Sequence, residues 1–90
     1  MNQLTKLPNI GKTLALKLNA INITSFEELK AIGSKKAIVK ISTLENSGAC
    51  INMLYALEGA IQGIRWHGLS IERKQELKSF YNLISKQILP

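Results

Sequence analysis

The most regular hydrophobic pattern in the chain lies between residues 50 and 69. Apolar residues recur there at alternating steps of four and three, at Cys50, Leu54, Leu57, Ile61 and Ile64. This spacing is typical of one face of an α-helix. Further apolar side chains lie off that face, so the helix is apolar almost all round and is expected to be buried on several sides. We therefore predict a central helix that ends at Gly68 and carries the core.

The central helix also contains small residues, which would let another helix approach closely. These are Ala56, Gly59, Ala60 and Gly63. A GxxxG spacing is a dimerisation signal in membrane helices, but polar side chains interrupt this one. The sequence also lacks an apolar run of about 18 residues, the length that a membrane span requires. The pattern therefore favours a helix inside a small soluble domain.

Sequence signals predict shorter helices on both sides of the central one. Pro8 ends an N-terminal helix that Asn2 can cap, because the residue before a proline avoids the α region. Further helices are expected at about residues 12–20, 26–32 and 35–41, the second opened by the capping-box pattern of Ser25 and Glu28. Ser34 is expected to cap the third of these helices, which Gly33 separates from the second.

The chain continues with a loop at residues 42–47, in which Asn46 or Ser47 is expected to cap the central helix. After Gly68, Ser70 begins a last helix, whose inward stripe is predicted at Leu77, Phe80, Tyr81, Ile84 and Ile88. No stretch predicts a strand and no linker divides the chain. We therefore expect an all-α fold, a single compact bundle of five to six helices over residues 1–90.

Charge is the most informative aspect of composition. Lysine and arginine number 12 against six acidic residues, which gives a formal net charge of +6. A charge of this sign and size raises the expectation of an anionic partner, nucleic acid first. The alternative is a solvated surface that is basic without a function in binding.

Candidate catalytic and metal-binding residues are few. Cys50 is the sole cysteine and predicts neither a disulfide nor a metal site, and the N-terminus lacks the apolar segment of a signal peptide. His67 has no aspartate or nearby nucleophile to work with, so we expect it and Arg65 to complement the negative end of the central helix while Trp66 packs under the last helix. Glu58 is expected to pair with Arg65 or with a lysine. These features favour a cytoplasmic protein that is not an enzyme and binds no cofactor.

The strongest functional candidate is the turn at residues 7–13. A helix that begins there directs unpaired backbone amides and the positive end of its dipole outward. Gly11 has no side chain to keep a phosphate at a distance, and neighbouring lysine and threonine side chains add donors. We therefore predict contacts to a nucleic-acid backbone from Asn9, Ile10, Gly11, Lys12, Thr13 and Lys17. The alternative is a turn that only joins two helices.

A second turn of similar pattern follows 22 residues later. The sequence Leu-x-x-Ile-Gly-x-x-x-Ala of residues 7–15 recurs at residues 29–37. Gly33, Ser34, Lys35 and Lys36 could form a second cluster of amides and lysines, and two such hairpins could contact the two strands of one duplex. The alternative is a glycine that ends one helix and a serine that caps the next.

The hairpin and the central helix together resemble a known family. Residues 7–12, 18–21 and 24–29 resemble a helix-hairpin-helix motif, which would cover about residues 2–41. With residues 50–66 they closely resemble the C-terminal domain of the TfoX (Sxy) family, bacterial regulators of competence for DNA uptake. The resemblance implies a non-enzymatic, all-helical protein linked to transcription regulation, whose hairpin amides bind double-stranded DNA without sequence specificity.

The chain departs from the family pattern in two respects. The usual hairpin has glycine where this chain has Asn9, and full-length family members carry a separate N-terminal domain, so we expect a stand-alone form. Two other interpretations stay open. One is a protein–protein interaction module with a purely structural hairpin, which would form a homodimer or dock on a regulator through the last helix or the small-residue patch. The other is RNA or ribosome association through the same hairpin.

Overall fold

The computed structural model describes residues 3–87, which contain five α-helices and two 3₁₀-helices and no strand. In chain order these are a 3₁₀-helix at Gln3–Lys6, α1 at Lys12–Ala20, α2 at Phe26–Ile32, α3 at Ser34–Ser42, α4 at Ile51–Gln62, a 3₁₀-helix at Trp66–Gly68, and α5 at Ile71–Gln87. The predicted all-α class is confirmed. The predicted cap Asn2 and the last stripe residue Ile88 lie outside the described residues.

The centre of the molecule is α4, which packs against α2, α3 and α5. Leu54, Leu57 and Ala60 of this helix are fully buried. Six buried side chains from the surrounding elements complete much of the same core: Leu4, Leu18, Leu29, Ile38, Ile41 and Leu77. The prediction that the central helix carries the core is therefore confirmed, and its lack of a polar face follows from having neighbours on several sides.

The central helix is shorter than the sequence predicted. It ends at Gln62 because Gly63 adopts the left-handed conformation, with φ of 76°. The amide of Gly63 donates to Ala60 and that of Ile64 to Gly59, which is the Schellman pattern of helix termination. Residues 66–68 form a separate 3₁₀-helix. The apolar periodicity continues past Gly63. The helix nevertheless ends there, because glycine adopts a positive φ at little cost in free energy.

Two predicted caps are wrong, and a third differs in detail. The central helix begins after Cys50, and no side chain caps the helix. Cys50 is exposed and lies off the predicted apolar face. The hydroxyl of Ser47, a predicted cap, instead accepts a hydrogen bond from the amide of Ala49. Ser34 is the first residue of α3 rather than its cap. Before α2, Ser25 accepts from the amide of Glu28 as predicted, but the carboxylate of Glu28 reaches the amide of Thr24.

The last helix follows its predicted pattern. The hydroxyl of Ser70 accepts a hydrogen bond from the amide of Arg73 at 3.0 Å, which is the expected N-terminal cap. Leu77 and Ile84 are buried, and Phe80 and Tyr81 are partly buried against the same core. This stripe holds α5 against α4 and α3.

A buried carboxylate joins three helices. Glu58 of α4 is 6% exposed and accepts hydrogen bonds from the hydroxyl of Ser34 at 2.6 Å, from Gln62 Nε2 at 2.7 Å and from Arg73 at 3.0 Å. The predicted partner Arg65 is therefore wrong, because α4 ends before it and Arg73 of α5 faces the carboxylate. Arg73 also pairs with Glu76 at 2.9 Å.

The network stabilises the ionised form of Glu58. Burial raises the pKa of its carboxyl, but the three hydrogen bonds and the charge of Arg73 outweigh burial and hold the pKa below its ordinary value of 4.5. The hydrogen bond that Arg73 donates to Glu58 likewise raises the pKa of the Arg73 guanidinium. Since α3, α4 and α5 each supply a member, the network fixes how the three helices pack.

We expect Glu58→Gln to lower the free energy of unfolding by about 1–3 kcal/mol. The substitution removes the negative charge that accepts hydrogen bonds from Arg73 and Ser34. Urea denaturation followed by circular dichroism measures the change. Glu76→Gln is the matched control, since Glu76 has a lowered pKa from Lys35 and Arg73 but an exposed side chain. A loss from Glu76→Gln as large as that from Glu58→Gln would contradict the role given to burial.

The same network predicts a dependence of stability on pH. The folded-state pKa of Glu58 lies below its unfolded value, so the folded protein binds fewer protons at this site. Its contribution is complete above the ordinary pKa of 4.5 and is lost as pH falls through the lowered folded-state pKa. The stability difference between the wild type and Glu58→Gln should therefore shrink as urea denaturation is repeated at falling pH. A difference that stays constant down to about pH 2 would contradict this assignment.

Candidate nucleic-acid interface

The predicted hairpin is a tight turn that connects the first 3₁₀-helix to α1. The amide of Leu7 donates to Leu4 at 3.0 Å, and that of Ile10 donates to Leu7 at 3.4 Å. Asn9 lies in the left-handed region with φ of 70°, as the sequence suggested. Ile10 is 4% exposed, and its side chain anchors the turn in the core. Ile10 can therefore offer a ligand its backbone but not its side chain.

The N-terminus of α1 is open to solvent. Gly11 occupies the N-cap position with extended backbone (φ −94°, ψ −174°), and no side chain caps the helix. Gly11, Lys12 and Thr13 are exposed, and a Cβ atom added to Gly11 would have no neighbour within 4 Å. The first amides of α1 therefore lack a side-chain acceptor from the described residues, and the helix dipole adds positive potential at the same place.

The side chain of Asn9 points inward and ties the turn to the end of α4. Its Nδ2 donates to the carbonyl of Ile64 at 2.9 Å and to that of Ala56 at 3.4 Å, and its Oδ1 accepts from the amide of Trp66 at 3.1 Å. These hydrogen bonds connect Asn9 to residues that lie 47 to 57 positions later in the sequence. The sequence suggested the backbone conformation of Asn9 but not this contact, because no local pattern encodes a partner so distant.

The close approach of Asn9 depends on a glycine in α4. A Cβ atom on Gly59 would lie 2.5 Å from Asn9 Nδ2 and 2.8 Å from the carbonyl oxygen of Ile64. Gly59 is buried together with Ala56 and Ala60. Three of the four residues of the small-residue patch, Ala56, Gly59 and Ala60, are therefore used for packing within the chain, whereas Gly63 is exposed. Docking of a partner on this face stays a prediction.

Lys17, one turn and a half into α1, has a structural contact. Its ammonium donates to the carbonyl of Asn46 at 3.1 Å, which holds the loop between α3 and α4 against α1. Lys12, by contrast, is exposed and forms no ion pair with the described residues. Of these two predicted lysines, Lys12 is the one whose charge is directed to solvent.

The second predicted turn has partners inside the protein. Gly33 has φ of 85°, and Ser34 beside it is 2% exposed with its hydroxyl on Glu58. Lys35 pairs with Glu76 at 2.8 Å and lies over the ring of Phe80 at 5.5 Å. Lys36 alone of the group has an exposed side chain. Contacts from residues 33–36 to nucleic acid stay a prediction, but the two turns are not structurally equivalent.

An aromatic cluster adjoins the hairpin. Trp66 stacks on Tyr55 with ring centroids 5.7 Å apart and on His67 at 4.0 Å, and Lys74 of α5 lies 5.6 Å from its ring. The contact with Lys74 agrees with the predicted packing of Trp66 under the last helix. Since side chains of this protein already occupy the neighbourhood of the indole ring, the cluster supports the turn and does not offer a free surface for stacking a base.

Within the described part of the chain, no group of three or more histidine, cysteine or acidic side chains is arranged to hold a metal ion. Among the helices of residues 3–87, none combines the length and apolar character needed to cross a bilayer.

Replacing Asn9 separates its backbone role from its side-chain role. Asn9→Gly keeps the positive φ but removes three hydrogen bonds, and should lower the free energy of unfolding by about 1–2 kcal/mol. Asn9→Ala should cost roughly 1 kcal/mol more, because alanine disfavours the left-handed conformation. Urea denaturation gives both values. Equal stability of Asn9→Gly and the wild type would show that the contacts of Asn9 with α4 contribute nothing net.

Two solved structures from Listeria monocytogenes resemble this chain. One is a crystal structure in a triclinic form, described as an uncharacterized protein, with 49% identity and a TM-score of 0.87 over 91% of this chain and 92% of that chain. The other is a tetragonal form, described as a protein of unknown function, with 49% identity and a TM-score of 0.86 over 91% of this chain and 99% of that chain. Both share the fold of this chain over 91% of its length.

A named relative and a family model match as well. Protein Sxy of Escherichia coli (strain K12) is 33% identical over 89 residues, which are 98% of this chain and 42% of that protein. The chain thus spans less than half of the length of Sxy. The model of the TfoX C-terminal domain matches residues 1–81. With its helical fold and this match over most of its length, the chain belongs to the TfoX C-terminal domain family.

Proposed function

We propose that this chain is a non-enzymatic regulatory module that binds the backbone of double-stranded DNA through its hairpin and serves the regulation of competence genes. The observation that carries the DNA-binding part is the open N-terminus of α1, where Gly11, Lys12 and Thr13 are exposed and no side chain caps the helix. The regulatory part rests on kinship with Sxy, of which this chain covers less than half.

The chemistry of this helix end suits a phosphate group. The amides of the first turn are donors without a side-chain acceptor, and the dipole supplies roughly half a positive charge. Gly11 leaves the approach open, Thr13 adds a hydroxyl and Lys12 a mobile charge. Such donors meet phosphate oxygens that are present at every nucleotide, so they position the protein on a duplex without reading its bases.

Asn9 does not obstruct this approach, although related hairpins have glycine there. Its side chain is turned toward Ile64 and Trp66, so its amide group is directed away from the exposed surface of the turn. The outward side of the hairpin is left to the backbone. In this proposal Asn9 and Ile10 hold the turn in place, Lys17 holds the neighbouring loop, and Gly11, Lys12 and Thr13 supply the contacts.

A pair of substitutions at Gly11 tests the helix end directly. Its φ of −94° and the open space around it accommodate a side chain, and aspartate or asparagine at an N-cap stabilises a helix by a few tenths of a kcal/mol over glycine. Gly11→Asp, which places a carboxylate where the phosphate would lie, should weaken duplex binding about tenfold or more. Gly11→Asn, which is neutral, should weaken it less. Fluorescence anisotropy with a labelled duplex at low salt measures both.

A second pair separates the local charge of the hairpin from net charge. Lys12→Glu should weaken duplex binding and lower the salt dependence of affinity, whereas Lys78→Glu, on the exposed side of α5, changes net charge equally and should have a smaller effect. Absence of duplex binding by the wild type, or equal effects from the two lysine variants, would sink the proposal. Tighter binding of a duplex RNA than of the matching DNA would assign the hairpin to RNA instead.

A further inference from the structure

We propose that a groove between the α1–α2 connection, α2 and α3 binds an acidic amphipathic segment of a protein partner. The groove has a volume of about 540 Å³ and is distinct from the N-terminus of α1. The surface is therefore separate from the hairpin and adds a protein-binding site to the proposed function.

Four apolar residues line the groove, and we call them its floor. Ile21 and Ile32 are partly exposed, Ile23 is 4% exposed and Ala31 is exposed. Partly exposed isoleucine side chains gain by being covered with apolar groups of a partner. A phosphate backbone would gain nothing from this floor, which favours a peptide over a nucleic acid as the occupant.

The wall of the groove is positively charged. Lys36 and Lys40 line it from α3, one helical turn apart, so both lie on the same face. Both are exposed, and neither forms an ion pair with the described residues. The two ammonium groups are thus available to an acidic ligand.

One carboxylate, that of Glu28, also lines the groove in the described structure. Glu28 accepts hydrogen bonds from the amide of Thr24 at 2.8 Å and from its hydroxyl at 2.9 Å. It serves the start of α2 and forms no ion pair with Lys36 or Lys40, so among the described residues that line the groove two positive charges stand against one negative charge. The apolar residues and the excess positive charge of the lining suit a ligand with aliphatic side chains on one face and carboxylates beside them.

A helical ligand fits these requirements. Aliphatic residues three and four positions apart would fill the floor, as in other helix-in-groove complexes, and carboxylates at matching spacing would meet the two lysines. The exposed amide of Asn22, held at the groove by a backbone with φ of 68°, offers a further polar contact. The net charge of +6 would steer an acidic segment toward the protein.

The test uses the full chain and a labelled synthetic peptide with leucines at helical spacing and glutamates beside them. The control peptide has the same composition with the leucines spread over all faces. Fluorescence anisotropy should show tighter binding of the patterned peptide. Lys36→Glu with Lys40→Glu should weaken it about tenfold, because two favourable charge pairs become repulsive. Lys78→Glu with Lys86→Glu, which makes the same change of net charge on α5, should have little effect.

A second variant tests the floor without altering charge. Ala31→Phe would place a large side chain into the groove and should weaken peptide binding, whereas Ala20→Phe, exposed at the end of α1, should not. Circular dichroism confirms that each variant is folded. Equal binding of both peptides, equal loss from both lysine pairs, or no effect of Ala31→Phe would overturn the proposal. If the variant with Lys36→Glu and Lys40→Glu lost duplex binding but kept peptide binding, these lysines would be assigned to nucleic acid. That result would overturn the proposal too.

Discussion

The hairpin of this protein depends on one asparagine side chain. Asn9 has the positive φ that the turn requires, and its amide group bonds two carbonyls and one amide around the end of α4. Those partners are placed because Gly63 ends α4 and directs the chain back past Gly59, which has no side chain to obstruct the contact. The open N-terminus of α1 is therefore positioned by the far half of the chain, not by the turn alone.

The two glycine-containing turns show how similar sequences acquire different surroundings. The first turn leaves Gly11, Lys12 and Thr13 exposed. At the second, the hydroxyl of Ser34 joins the Glu58 network, and Lys35 pairs with Glu76. Burial of a carboxylate beside α3 requires donors, and the start of α3 supplies one of them. The same local sequence pattern thus leads to an exposed helix N-terminus at the first turn and to a turn bonded to other helices at the second.

The molecule presents two surfaces of different chemistry. The hairpin offers backbone amides and a mobile lysine, groups that suit a phosphate, while the groove beside α2 and α3 combines isoleucine side chains with two lysines and suits an acidic peptide. Because the first is polar and the second has an apolar floor, single substitutions can alter one without the other. A regulator that contacts both DNA and a protein would need this separation.

The sequence by itself determined the helical class, the position of α1, α2 and α5, and the role of α4 as the core, because apolar spacing and the caps at Ser25 and Ser70 act over a few residues. It also predicted the turn at residues 7–13. The end of α4 is likewise set locally, by the positive φ of Gly63, although the apolar periodicity continues past it. The sequence did not determine the partner of Glu58 or the inward direction of Asn9. Those depend on groups brought together from 15 to 57 residues apart. Hydrogen-bonding partners at such distances are selected by packing, so only the tertiary structure decided them.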